Sequence, residues 1–151
     1  MIALYENVGH HVLYSKAAKI WLDKLAADSN FSIDYIQNTN LINDQFLSRY
    51  QLFIQVDFPP YAWKDDAVQA FQRYITEARG GWIGFHHATL LGEFDCYPMW
   101  QWFSTFMGDI VFKNCIQTFA TASVNTENKK HPVMQNVPAS FTIERRMVHL
   151  Q

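Results

Sequence analysis

The stretch "ARGGWIGFHHAT", residues 78–89, decides how the rest of the chain is read. Gly80 and Gly81 allow a tight turn, an apolar run follows, and the run stops on two adjacent histidines, His86 and His87. A strand of a parallel sheet is apolar on both faces, and its carboxyl end opens on the crevice where α/β sheets bind ligands. Imidazoles at that end predict a site there. Upstream, residues 64–78 place Val68, Phe71 and Ile75 at helical spacing, and the two glycines end the helix. Before it, "DFPPYAW" (57–63) is a loop, because Pro59 and Pro60 stop regular structure, and "YQLFIQV" (50–56) is an apolar strand suited to the middle of a sheet.

Nearer the start, "FSIDYIQ" (31–37) alternates as a half-covered strand does, and a short helical piece follows around residues 44–48. A helix is predicted from Ser15 as N-cap, with Ala18, Leu22 and Leu25 on one face, broadened by Ile20 and Trp21. "MIALYE" (1–6) is the first strand, and "NVGHHVLYS" (7–15) is a loop carrying His10 and His11. Strand and helix thus recur with crossovers of βαβ length. They predict an α/β fold, a doubly wound and mostly parallel sheet with helices on both faces. The second half is less regular: a short aromatic helix in "MWQWFSTFM" (99–107), an extended "CIQTFATASV" (115–124), a loop in "NTENKKHPVMQNVP" (125–138) and a last strand in "SFTIERRMVHLQ" (140–151).

At 151 residues and 49% hydrophobic, the chain is sized for one domain with a substantial core. A net charge of -2 without long runs of either sign gives no electrostatic case for a nucleic-acid partner. No apolar run reaches membrane-spanning length and no lysine-led apolar leader opens the chain, so a cytoplasmic location is expected. Cys96 and Cys115 belong to no paired metal or CxxC motif. No phosphate-binding or dinucleotide fingerprint is present, and no nucleotide cofactor is expected; the divalent-metal question stays open.

His86, at a strand end, suits proton transfer or metal ligation, both of which need an unprotonated ring nitrogen. His10, after the first strand, would reach the same edge; the alternative is that both serve as local hydrogen-bonding or capping groups. Strand alternation turns His87 away from His86. Gly84 permits close approach, and the turn through His87 and Ala88 offers backbone N–H groups for a developing oxygen charge. Trp100 and Trp102 either wall a pocket for a sugar face or fill the core. His131 sits before Pro132 as a turn residue or a site residue. Glu144 either orients a histidine or accepts a proton, or forms a surface ion pair with its basic neighbours.

Taken together, the histidine loop, "YQLFIQV", "YITEARGGWIGFHHAT", "MGDIVF" and "HPVMQNVPASFTIE" resemble the trehalose-utilisation (ThuA-like) family, whose fold is related to that of the class I glutamine amidotransferases. The resemblance runs over nearly the whole chain. It implies a carbohydrate as small-molecule partner and a polar crevice lined by His10 and His86, with His131 and Glu144 as further candidates. Together with the residue reading above, this makes His10, His86 and Glu144 the candidate catalytic residues, His87, Trp100, Trp102 and His131 the candidate substrate-binding residues, and His10, His86 and His131 the candidate metal ligands. His86 stands where the amidotransferase relatives carry a nucleophilic cysteine, which disfavours glutamine hydrolysis. Where the family continues through a glycine-rich segment to another histidine, this chain reads "FMGDIVFKN" (106–114), and family elements beyond Glu144 are expected to be missing. That leaves two functional readings, a histidine-assisted sugar enzyme and a non-catalytic sugar-binding module. An apolar surface left uncovered would favour a homodimer.

Overall fold

The computed structural model describes residues 1–116, 118–145 and 148–150, with the side chains of residues 10, 145, 148 and 149 outside that description. The chain divides into two compact units, Met1–Val111 and Phe112–Gln151, each described by itself.

The first unit is a four-stranded sheet of β1 (Ile2–Leu4), β2 (Asp34–Ile36), β3 (Leu52–Gln55) and β4 (Gly81–Gly84) in the order β2-β1-β3-β4. All three pairings are parallel. The fold is flavodoxin-like α/β. The loops leaving β1, β3 and β4 therefore share one edge, and the strand order reverses between β1 and β3, the switch point at which such sheets open a crevice.

Side chains alternate across the sheet. Ile2, Leu4 and Phe53 meet one helical layer: α2 (Asp44–Leu47), α3 (Asp65–Thr76) and α4 (Gln101–Phe106), which supply Leu47, Phe71, Tyr74 and Phe103. Ala3, Ile54 and Val56 face the other way, against Leu22 of α1 (Val12–Ser29). In α3 the buried Ala67, Ala70, Phe71 and Tyr74 form one stripe, while Asp65 and Asp66 complement the positive end of the helix dipole. Gly80 follows because Tyr74 needs the space: a Cβ there would overlap the phenol that donates to the Tyr50 carbonyl at 3.1 Å.

Two expectations are corrected. Helix α1 begins at Val12 with His11 at its N-cap, so Ser15 lies inside the first turn, 2% exposed, its hydroxyl turned to groups outside the helix. Strand β4 is an edge strand of this sheet rather than a buried one, with Ile83 43% exposed, and among the described residues none from β4 joins the cluster that Leu22 of α1 forms with β1 and β3. An apolar groove of about 270 Å³ lined by Tyr14, Trp21, Leu22, Val56 and Phe85 marks the uncovered part.

The second unit holds two antiparallel pairs, β5 (Phe112–Cys115) with β8 (Val148–Leu150) and β6 (Ala120–Asn125) with β7 (Ser140–Arg145). Among the described residues, no helix is long and apolar enough to cross a membrane.

Phe71 is fully buried between Phe53, Trp63 and Phe103, so Phe71→Ala should lower unfolding stability by about 3–5 kcal/mol. Urea unfolding followed by circular dichroism measures it.

Candidate functional site

The crevice is built on Asp57, the second residue beyond β3, which is fully buried. One of its oxygens accepts the Glu6 backbone N–H at 2.7 Å and the other lies 2.7 Å from Ser15 Oγ. Ser15 Oγ also lies 2.7 Å from the Glu6 carbonyl and 2.9 Å from that of His11; its single proton serves one acceptor at a time. The exit of β1, the exit of β3 and the first turn of α1 are thus tied together at the switch point.

On this frame stand His11, from the turn before α1, and His86 and His87, from the turn after β4. The ring centroids of His11 lie 4.0 Å from those of His87 and 4.9 Å from those of His86, both edge to face. The His86 and His87 rings are stacked at 4.4 Å with only 11° between their planes. Alternation predicted that they would diverge. They meet because the strand ends at Gly84, the chain enters a 3-10 turn at His86–Thr89, and His86 takes a left-handed φ of 50°. Gly84 makes that turn possible, since a Cβ there would overlap the Trp82 ring and stand 2.9 Å from Ala88. Trp82 is held in turn by its indole N–H donating to Gln55 at 3.1 Å.

Glu6 Oε2 is 3.5 Å from His11 Nδ1 and 3.7 Å from His87 Nδ1. Tyr14 closes one side, its ring 5.2 Å from that of His86. Burial, and then the charges of His86 and His11, push the His87 pKa down to about 4. Burial also lowers that of His86, the His11 charge adding to it and Asp57 opposing it. His86 and His87 therefore offer unprotonated nitrogens, and one nitrogen from each of the three rings lies within 4.8 Å of those of the other two.

A second hollow of about 300 Å³ opens among the loops on the same edge, with Tyr61, Trp63, Asp65, Tyr97 and Trp100 in its lining. Tyr61 stacks on Phe94 at 5.3 Å. Burial, then the charges of Asp95 and Glu6, raise its phenol pKa.

The other residues named from the sequence fall as follows. The side chain of His10 lies outside the described residues; His11 is the histidine of that loop described in the cluster. The Ala88 amide donates to the Phe85 carbonyl at 3.0 Å, so it is not free to hold an oxyanion. Trp100 and Trp102 make ring contacts with Phe71, Phe103 and each other, as core residues do, although Trp100 also lines the aromatic hollow. In the second unit, His131 caps the turn at Pro132–Met134, its Nδ1 accepting the Val133 N–H at 3.3 Å, and the exposed Glu144 pairs with Thr121 across β6 and β7. Sequence reasoning passed over Glu6, Asp57 and Tyr61, and read Ser15 only as a helix cap. The available signal was a carboxylate just beyond each of two apolar strands.

A family model described as trehalose utilisation matches residues 2–150. Among solved structures the chain is similar to a ThuA-like protein from Bacteroides uniformis, with 26% identity and a TM-score of 0.85, over 99% of this chain and 60% of that one. The chain thus spans 60% of that relative's length. No curated protein matches it.

Two measurements test the site. An imidazole titrating near 4 when folded and near 6.5 when unfolded leaves the unfolded chain holding more protons between these values. The stability His87 contributes should be complete above about pH 6.5 and fall as the pH drops towards 4, with its ring signals in NMR unchanged until near the lower value. Asp57→Ala strands the Glu6 amide and removes one of the three acceptors within reach of the Ser15 hydroxyl, and should cost roughly 1–3 kcal/mol in denaturant unfolding.

Proposed function

The chain belongs to the trehalose-utilisation (ThuA) family, which gives it a carbohydrate-related role, and from that premise we propose that it is a histidine-assisted enzyme acting on a sugar or oxidised sugar held at the carboxyl edge of its sheet. The observation that carries this reading is the meeting of His11, His86 and His87 with Glu6 at the carboxyl edge of the sheet. Sugars are bound by aromatic faces against their C–H surfaces and by a few fixed polar groups against their hydroxyls. Tyr61 and Tyr97 supply such faces, and Asp65 stands beside them as an acceptor. The indole N–H of Trp100 is buried without a hydrogen-bond partner in the structure, a donor for a ligand oxygen.

Chemistry at a sugar hydroxyl or carbonyl needs a group that takes and returns a proton. His86 is the member of the cluster most open to solvent, and its left-handed backbone thrusts the ring out of the strand line. Its ring neighbours His11, Tyr14 and His87 fix its surroundings. Thioester chemistry on glutamine is not part of the proposal, since an imidazole does not take over the acyl-carrying role of a thiolate.

A panel of trehalose, other glucosides and their keto derivatives, screened by NMR for binding and turnover, tests the reading. Tyr61→Ala should weaken sugar binding at least about tenfold through loss of stacking area. His86→Ala should lower turnover by roughly 10²–10⁴-fold. His87→Ala should now be nearly as severe, because the two rings stack. Binding without turnover across the panel would place the chain as a sugar-binding module, and neither would sink the carbohydrate assignment for this crevice.

A further inference from the structure

We infer that His11, His86 and His87 form a binding site for one divalent transition-metal ion of the zinc class. Three rings from two separate loops present one nitrogen each within 4.8 Å of the others. Zinc holds imidazole nitrogens at about 2.0–2.1 Å, so its ligands stand roughly 3.3 Å apart and these rings must close by at most about 1.5 Å. The stacked His86 and His87 rings, 11° apart in plane, must also turn about their side-chain torsions for their lone pairs to converge on one ion, a change open to side chains that border solvent. A single proton can bridge two of these nitrogens, whereas a metal ion engages all three in-plane lone pairs at once.

The surroundings fit the same ion. Imidazole donors select zinc, copper, nickel or iron over magnesium and calcium, which take oxygen ligands. Glu6 Oε2, at 3.5 and 3.7 Å from two of the rings, is the anionic group that offsets the cation and orients its ligands. Asp57 fixes the backbone that carries it, through the Glu6 N–H. Three protein ligands with His86 facing solvent leave coordination positions open to an outside oxygen, the pattern of reactive rather than structural zinc sites.

The inference deepens the proposed function at the same cluster and rests on it only for the identity of that outside oxygen, a sugar hydroxyl or carbonyl. With the ion in place, the imidazoles act on the sugar through it, and Glu6 is the remaining proton acceptor beside it. The two readings therefore fail separately.

The test is calorimetric titration of the full chain, freed of metal by chelator and dialysis, with zinc chloride, and with magnesium chloride as the oxygen-preferring control. One zinc per chain should bind, and magnesium should not compete. His11→Ala and His87→Ala, checked for folding by circular dichroism, should each weaken zinc at least about 100-fold. Glu6→Gln should weaken it by about 10–100-fold. Cobalt in place of zinc should give visible absorption bands that both histidine variants lose. No saturable zinc binding to folded wild type, or affinity unchanged in both histidine variants, would overturn the metal site. Sugar turnover that persists in chelator would overturn the ion's part in the reaction and leave the direct histidine mechanism standing. One-to-one zinc binding with no sugar bound or turned over in either state would support the metal site and remove the carbohydrate reading instead.

Discussion

The carboxylate of Asp57 is the constraint on which the working edge of this protein depends. Completely buried, it has to find donors inside the fold, and it finds them in the Glu6 amide and the Ser15 hydroxyl. Those partners belong to the exit of β1 and the first turn of α1, while Asp57 belongs to the exit of β3. One side chain therefore fixes three pieces of backbone at the point where the sheet changes winding direction. The placement of His11, Tyr14 and Glu6 follows from it, since each is carried by a segment that Asp57 holds.

The opposite wall of the crevice is set by a different device. β4 ends where Trp82 lies across Gly84, and the Trp82 indole is anchored to Gln55, whose own amide donates to the Phe58 carbonyl at 2.6 Å. Beyond it the chain turns at once, with His86 in a conformation that β-carbon-bearing residues seldom adopt. Local strain at this point coincides with the stacked imidazoles, as expected where packing over-determines a functional turn. Chemistry and strain meet at His86.

Aromatic residues divide between two tasks. Phe53, Phe71, Tyr74 and Phe103 fill the layer between the sheet and α3, and Trp102 joins that packing. Tyr61 and Tyr97 instead stand over a hollow at the edge, with Trp100 belonging to both. A sequence rich in rings thus builds a core and a ligand-facing surface from the same residue type, and only depth in the fold separates them.

Hydrophobic periodicity determined the architecture from the sequence alone: the apolar runs in "MIALYE", "YQLFIQV" and "GGWIGFHHAT", separated by amphipathic helices, specify parallel strands, because burying both faces requires continuous apolar strands and helical crossovers. It also marked the carboxyl edge as the place for His86. The reading named His10, whose side chain lies outside the described residues, while His11 stands in the cluster, and a loop has no period to separate the two; it also assigned His87 to the wrong side, since alternation holds only while the strand lasts and this one ends at Gly84. Ser15 was read as a helix cap because its local pattern suits one. Its actual partner is Asp57, 42 residues away, and a pairing of that separation is set by the topology of β1, α1 and β3. Long-range hydrogen bonds and the exit angle of a turn have no local signature; they exist only once the sheet has brought the loop ends together.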